Sequence, residues 1–115
     1  MTRFISGGLR VAAFTFAFLV ATVSLSIAAY SAPNFHVINE GSHTINTLNV
    51  SPHASGDWGS DLLGQYELAP GHYASPLAGY TLPECVQDVR VIYDNGAVDY
   101  FYNLNVCTLN VTFHY

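Results

Sequence analysis

The chain has 115 residues, half of them hydrophobic and only a tenth charged, with three basic residues against eight acidic ones. Two of the bases, Arg3 and Arg10, stand at the N-terminus, so beyond them Arg90 alone faces all eight acids, and one minus eight leaves −7 with histidines neutral. That sign repels phosphate and excludes nucleic acid and anionic membranes as partners.

Residues Met1 to Arg10 are basic without an acid, Val11 to Ala29 carry no charge, and small residues and Pro33 follow. A basic start, an apolar stretch and a small-residue end are the pattern of a secretory signal peptide. We expect it over residues 1–31, with cleavage after Ser31 or, using Ser26 and Ala28, after Ala28. The competing reading is a membrane anchor, since the uncharged stretch approaches the ~20 residues that span a bilayer; Thr15, Thr22, Ser24 and Ser26 dilute it. The remaining chain, 32–115, is expected to be one secreted or periplasmic domain with a small core, and no membrane association is expected after cleavage.

Phe35–Glu40 and Thr44–Val50 read as a strand pair across Gly41-Ser42. After the segment Ser51–Gly64, which has no hydrophobic period, two short strands flank Pro70-Gly71. Val89, Val91 and Tyr93 then alternate with Arg90 and Ile92, and Asp94-Asn95-Gly96 supplies a tight hairpin turn before a return strand from Ala97 to about Asn103. From Cys107 to Tyr115 the period is two throughout, the mark of a half-buried strand. Six or seven short strands with frequent turns argue for an all-β fold, a small antiparallel β-sandwich, immunoglobulin-like or similar. Cys85 and Cys107, an even pair in an oxidising compartment, are expected to form a disulfide.

The run Ser51-Pro52, Ser55, Trp58-Gly59, Asp61, Leu63-Gly64, Leu68 and Pro70-Gly71, with the later CVQDVRVIYDNG, resembles the signature of a family of small secreted bacterial β-domains of uncharacterised function. The likeness spans Val37 to Leu109 and carries no assigned chemistry. Members often have an acid at the position of Gly56, whereas here the acid is Asp57.

The Ser51–Gly64 loop admits two roles. His53, Asp57 and Asp61 recur every fourth residue, and Asp57 with Asp61 offers carboxylate oxygens to calcium, with backbone carbonyls completing the shell; the spacing is not that of an EF-hand. Alternatively the loop is a structured connection. Ser60 or Asp61 then caps a helical turn that Gly64 ends, Ser55 or Asp57 holds the preceding turn, and Trp58 and Leu62 plug the sandwich edge. The connection is the preferred reading and calcium the alternative, with no other cofactor expected.

His36, His43, His53, His72 and His114 are scattered without an HExxH pattern or a nucleophile elbow, so no catalytic residues are assigned. A small hydrolytic or metal-dependent enzyme ranks third. Tyr100-Phe101-Tyr102 places rings on both faces of one strand, and tyrosine joins an apolar face to a polar tip. Trp58, Tyr100 and Tyr102 are the candidate ligand surface, with Tyr66, Tyr73 and Tyr80 near in sequence. The expected function is a non-catalytic binding module for a protein or a carbohydrate.

Overall fold

In the computed structural model, which describes residues 29–115, the chain forms a small all-β sandwich with no helix among the described residues. Residues 1–28, most of the expected signal peptide, lie outside the described residues. The strands are β1 (Val37–Asn39), β2 (Ile45–Pro52), β3 (Tyr73–Ala74), β4 (Val86–Tyr93), β5 (Val98–Asn105) and β6 (Val111–Phe113). They build two three-stranded sheets, in the orders β3-β1-β6 and β2-β4-β5.

The larger sheet follows from the period of two in β4. Val89, Val91 and Tyr93 are buried and lie beside Val50, Leu48 and Ile45 of antiparallel β2, which sets one apolar face toward the core. Asp88, Arg90 and Ile92 therefore take the other face. The hairpin to β5 closes as expected at Asp94-Asn95-Gly96. The Gly96 N–H donates to the Tyr93 carbonyl at 2.9 Å, and the Tyr93 N–H donates to that of Ala97 at 2.9 Å. Only Gly96 needs positive φ there, at 86°. Tyr100 then lies beside Arg90, and Phe101 beside Val89, before the register shifts near Asn103, a bulge residue with φ 60°.

Cys85 and Cys107 form a disulfide with Cα atoms 5.5 Å apart, clipping the open end of the β4–β5 hairpin. Closing such a loop stabilises a domain by roughly 3 kcal/mol.

The smaller sheet departs from the all-antiparallel expectation, because β1 pairs antiparallel with β3 but parallel with β6. The strand expected from Cys107 to Tyr115 is also shorter. The Asn105 side-chain oxygen accepts the Cys107 N–H at 3.0 Å and the Asn105 carbonyl accepts that of Leu109 at 2.9 Å, turning the chain before β6 begins. Asn39, fully buried in β1, binds the two layers' connections. Its Nδ2 donates to the His43 and Leu68 carbonyls at 2.8 and 2.9 Å, and its Oδ1 accepts the Gly41 N–H at 3.0 Å.

Candidate functional site

The Ser51–Leu68 segment folds back along the outer edge of β2. The Leu62 N–H donates to the Leu48 carbonyl at 2.8 Å, and Ile45 and Leu68 exchange N–H and carbonyl groups at 2.9 Å each way. One oxygen of Asp61 accepts the N–H of Leu48 and that of Leu63, both at 3.0 Å. Asp61 thus caps the turn that runs to Gly64, where φ is 63°, and also closes the strand edge. Ser55 Oγ accepts the Asp57 N–H at 3.1 Å and shares a hydrogen bond with Ser51 Oγ at 2.8 Å.

These bonds give the loop a structural account. The Asp61 oxygen is directed at backbone, Asp57 is exposed, and His53 turns to Asp88, so the three residues spaced by four do not converge. No group of three His, Cys, Asp or Glu side chains able to hold a metal ion occurs among the described residues.

The same loop carries Trp58 onto the outer face of the larger sheet. The Arg90 guanidinium lies 4.8 Å from the Trp58 ring centroid. Trp58 and Tyr100 are 5.9 Å apart at 52°, and Tyr100 stacks on Tyr102 at 5.3 Å and 9°. Arg90 is held for this by Asn49, whose Oδ1 accepts from Nε at 3.2 Å and Nη2 at 2.9 Å. The three ring residues singled out from the sequence, Trp58, Tyr100 and Tyr102, thus form one ladder. Tyr73 belongs to the other sheet, against His36 at 4.6 Å, and no ring contact joins Tyr66 or Tyr80 to the ladder among the described residues.

Near the ladder's end, opposite the bulge of β5, sits Asp88, 3 % exposed. It accepts from His53 Nδ1 at 2.8 Å, from the Ala54 N–H at 2.9 Å and from the Asn103 N–H at 2.8 Å. Burial pushes its carboxyl upward, but these hydrogen bonds and the His53 charge outweigh burial and hold it below its ordinary 3.8. Asp88 therefore ties the β2-side loop to the bulge of β5. On the opposite face, burial first and then the Asp99 carboxylate push the Tyr93 phenol up to about 12.

Arg90, Asn49 and Asp88 were not among the site residues read from sequence. A signal for two of them was present, because Asp88 and Arg90 alternate with the apolar residues of β4 and must share the face opposite Val89 and Val91. The histidines are not gathered: His43 meets Asp94 at 3.1 Å, His53 meets Asp88, and His114 lies 3.9 Å from Glu40. No helix among the described residues is long and apolar enough to cross a membrane. Comparison with family models, with curated proteins and with solved structures finds no match to the chain.

Proposed function

We propose that the domain is a non-catalytic binding module, exported to the periplasm or beyond, which takes a protein partner on the ladder of Trp58, Tyr100 and Tyr102. The observation that carries this reading is the concentration of exposed rings on one strand, with Tyr100 42 %, Phe101 44 % and Tyr102 55 % exposed. Rings that pair an apolar body with a polar tip are the typical anchors of protein interfaces. A carbohydrate stacks on an open ring face, whereas Tyr100 is flanked by Tyr102 and Trp58, and Trp58 by Arg90. Apart from the far face of Tyr102, what remains presented is ring edges and hydroxyls, which favours a protein.

On this reading the Ser51–Gly71 segment is a scaffold that positions Trp58 rather than a ligand set. Export is part of the same reading, supported by the N-terminal pattern and the disulfide. Tyr30 and Leu82 exchange backbone hydrogen bonds at 2.9 and 2.7 Å, so cleavage after Ala28, which keeps Tyr30, is the expected cut. A mature mass beginning at Ala29 supports it and one beginning at Ala32 refutes it.

The test is photo-crosslinking in the exporting cell, with a benzophenone side chain placed at Tyr102 and, as control, at Tyr66, which is 70 % exposed away from the ladder. A discrete adduct from Tyr102 alone is the expected result. Equal adducts from both positions, or none from Tyr102, would refute the proposal.

A further inference from the structure

The ladder stands on a strand that has no neighbour on its far side among the described residues, since the sheet order β2-β4-β5 leaves β5 at the edge. The hairpin bond between Tyr93 and Ala97 fixes which backbone groups face outward. Partners in an antiparallel ladder alternate between bonded and non-bonded pairs. With Tyr93 bonded to Ala97, and Val91 beside Asp99 and Val89 beside Phe101, the groups of Ala97, Asp99 and Phe101 point to β4. Those of Val98, Tyr100 and Tyr102 point away from the sheet.

Such an edge is a template for another strand unless the chain guards it with lysine, proline or an inward-pointing charge. From Val98 to Tyr102 there is no lysine and no proline. The guard is Asp99 alone, whose Oδ1 accepts the Tyr100 N–H at 3.0 Å while Oδ2 accepts the Tyr93 hydroxyl at 3.4 Å. It caps one of the three outward N–H groups and leaves those of Val98 and Tyr102. Both faces of the segment present exposed apolar surface, with Val98 and the Tyr100 and Tyr102 rings on one side and Phe101, beside Asp99, on the other.

We infer that β5 accepts an added strand, over Val98–Tyr102, from a partner protein whose extended segment alternates apolar and basic residues. The inference rests on the proposed binding role and names how the partner is held. Main-chain bonds supply affinity in this mode and alternate side chains supply specificity. The charge of the partner follows from composition. Beyond Arg10 the only lysine or arginine is Arg90, and it is engaged by Asn49 and Trp58. Asp57, next in the chain to Trp58, and Asp94, at the hairpin tip beside β5, are exposed carboxylates. Cations at this interface must come from the partner, and the net −7 of the chain beyond Arg10 attracts them at long range. A second copy brings the same net −7 beyond Arg10 and the same Asp99, so it is the disfavoured occupant.

The test uses the full exported chain, isotopically labelled, and an alternating valine–lysine octapeptide as probe. Its expected result is a set of amide shift changes centred on Val98, Tyr100 and Tyr102, with affinity falling about tenfold or more between low and roughly 0.5 M salt as the charges are screened. The valine–glutamate peptide should give no shifts. A valine–lysine peptide N-methylated at alternate residues, which cannot complete the ladder, should also fail. If the N-methylated peptide binds equally, strand addition is wrong while the ladder crosslink from Tyr102 still stands. If the lysine peptide shifts amides elsewhere, or none at millimolar concentration, the inference falls. It falls equally if the protein alone sediments as a dimer that Tyr100→Pro abolishes, since a second copy would then occupy the edge; β5 amide exchange in that variant shows that the strand itself survived.

Discussion

The outer strands of the larger sheet, β2 and β5, are equally long at eight residues each, yet the chain treats them in opposite ways. Along β2 the returning segment lays down backbone bonds at Ile45 and Leu48, and Asp61 covers the Leu48 amide, which no loop backbone reaches. Along β5 only Asp99 stands guard, and the rings face water. In a domain this small, one edge of the sheet is closed by the chain itself and the other is left to solvent. The covered edge contributes stability, and its loop delivers Trp58 to the outer face; the bare edge is held to the sheet through β4 and Leu104 alone and leaves its outward backbone groups open.

The largest effect is expected where the two edges are joined. Asp88→Ala leaves the Ala54 and Asn103 amides and the His53 ring nitrogen without their acceptor, and should destabilise by about 3 kcal/mol, as removal of a buried charged acceptor does. Asp88 also gives the comparison a pH axis. A carboxyl held below its ordinary 3.8 in the folded state contributes stability above its unfolded value and loses it as pH falls through the folded one. Unfolding free energy of the wild type should therefore drop on acidification below about pH 4, and Asp88→Asn should flatten that part of the curve. Chemical denaturation at stepped pH measures both, and an unchanged acid limb in Asp88→Asn would remove Asp88 as the joint.

Much of the sheet that carries the site was legible in the sequence. Val89, Val91 and Tyr93 announced their own face by period, Asp94-Asn95-Gly96 announced the hairpin, and Tyr100 and Tyr102, two apart on one strand, had to share a side. The smaller sheet was not legible to the same extent. A three-residue strand such as β6 has too few residues to show its period, and Cys107 and Leu109 alternate as a strand would although Asn105 bends them into a turn. Parallel pairing of β1 with β6 depends on where that turn delivers the chain, which no local pattern records. The role of Asp88 was hidden for a related reason. Its donors come from residues 35, 34 and 15 positions away along the chain, and the bulge that aims the Asn103 amide at it exists only once β4 and β5 are paired.

A second, smaller effect tests the covered edge. Asp61→Ala removes the acceptor for both Leu48 and Leu63 and should cost about 1 to 2 kcal/mol, the range of a lost cap. Faster hydrogen exchange at the Leu48 amide, with the β5 amides unchanged, would localise the loss. Because Asp61 serves backbone, wild type should melt at the same temperature in millimolar calcium and in chelator. A calcium-dependent rise that Asp61→Asn abolishes would establish the ion-binding reading of the loop, since a ligand that binds only the folded state raises stability by mass action.

Smaller again is Trp58→Ala. The ring is only half-buried, packed on Arg90 and Tyr100 rather than inserted in the core. Its loss should therefore cost about 1 kcal/mol, the scale of one cation–π and one ring contact, well under the roughly 3 to 5 kcal/mol for a core aromatic. A cost in that higher range would mean that Trp58 belongs to the fold and not to the ladder.

The smallest expected effect lies on the bare edge and separates the two strands most directly. Tyr102→Thr keeps a residue suited to a strand and removes an exposed ring whose main neighbour is Tyr100. Stability should change by no more than about 0.5 kcal/mol, as surface substitutions do, although the substitution deletes more apolar surface than Asp61→Ala. Binding should respond the other way, with the Tyr102 variant losing the partner and the Asp61 variant, at a temperature where it is folded, keeping it. Denaturation and partner binding measured on the same two proteins give a crossed result if one edge holds the fold and the other holds the ligand. Parallel losses in both assays would mean that the ring ladder is structural cover for the outer face, as the loop is for β2, and that both edges of the sheet are closed.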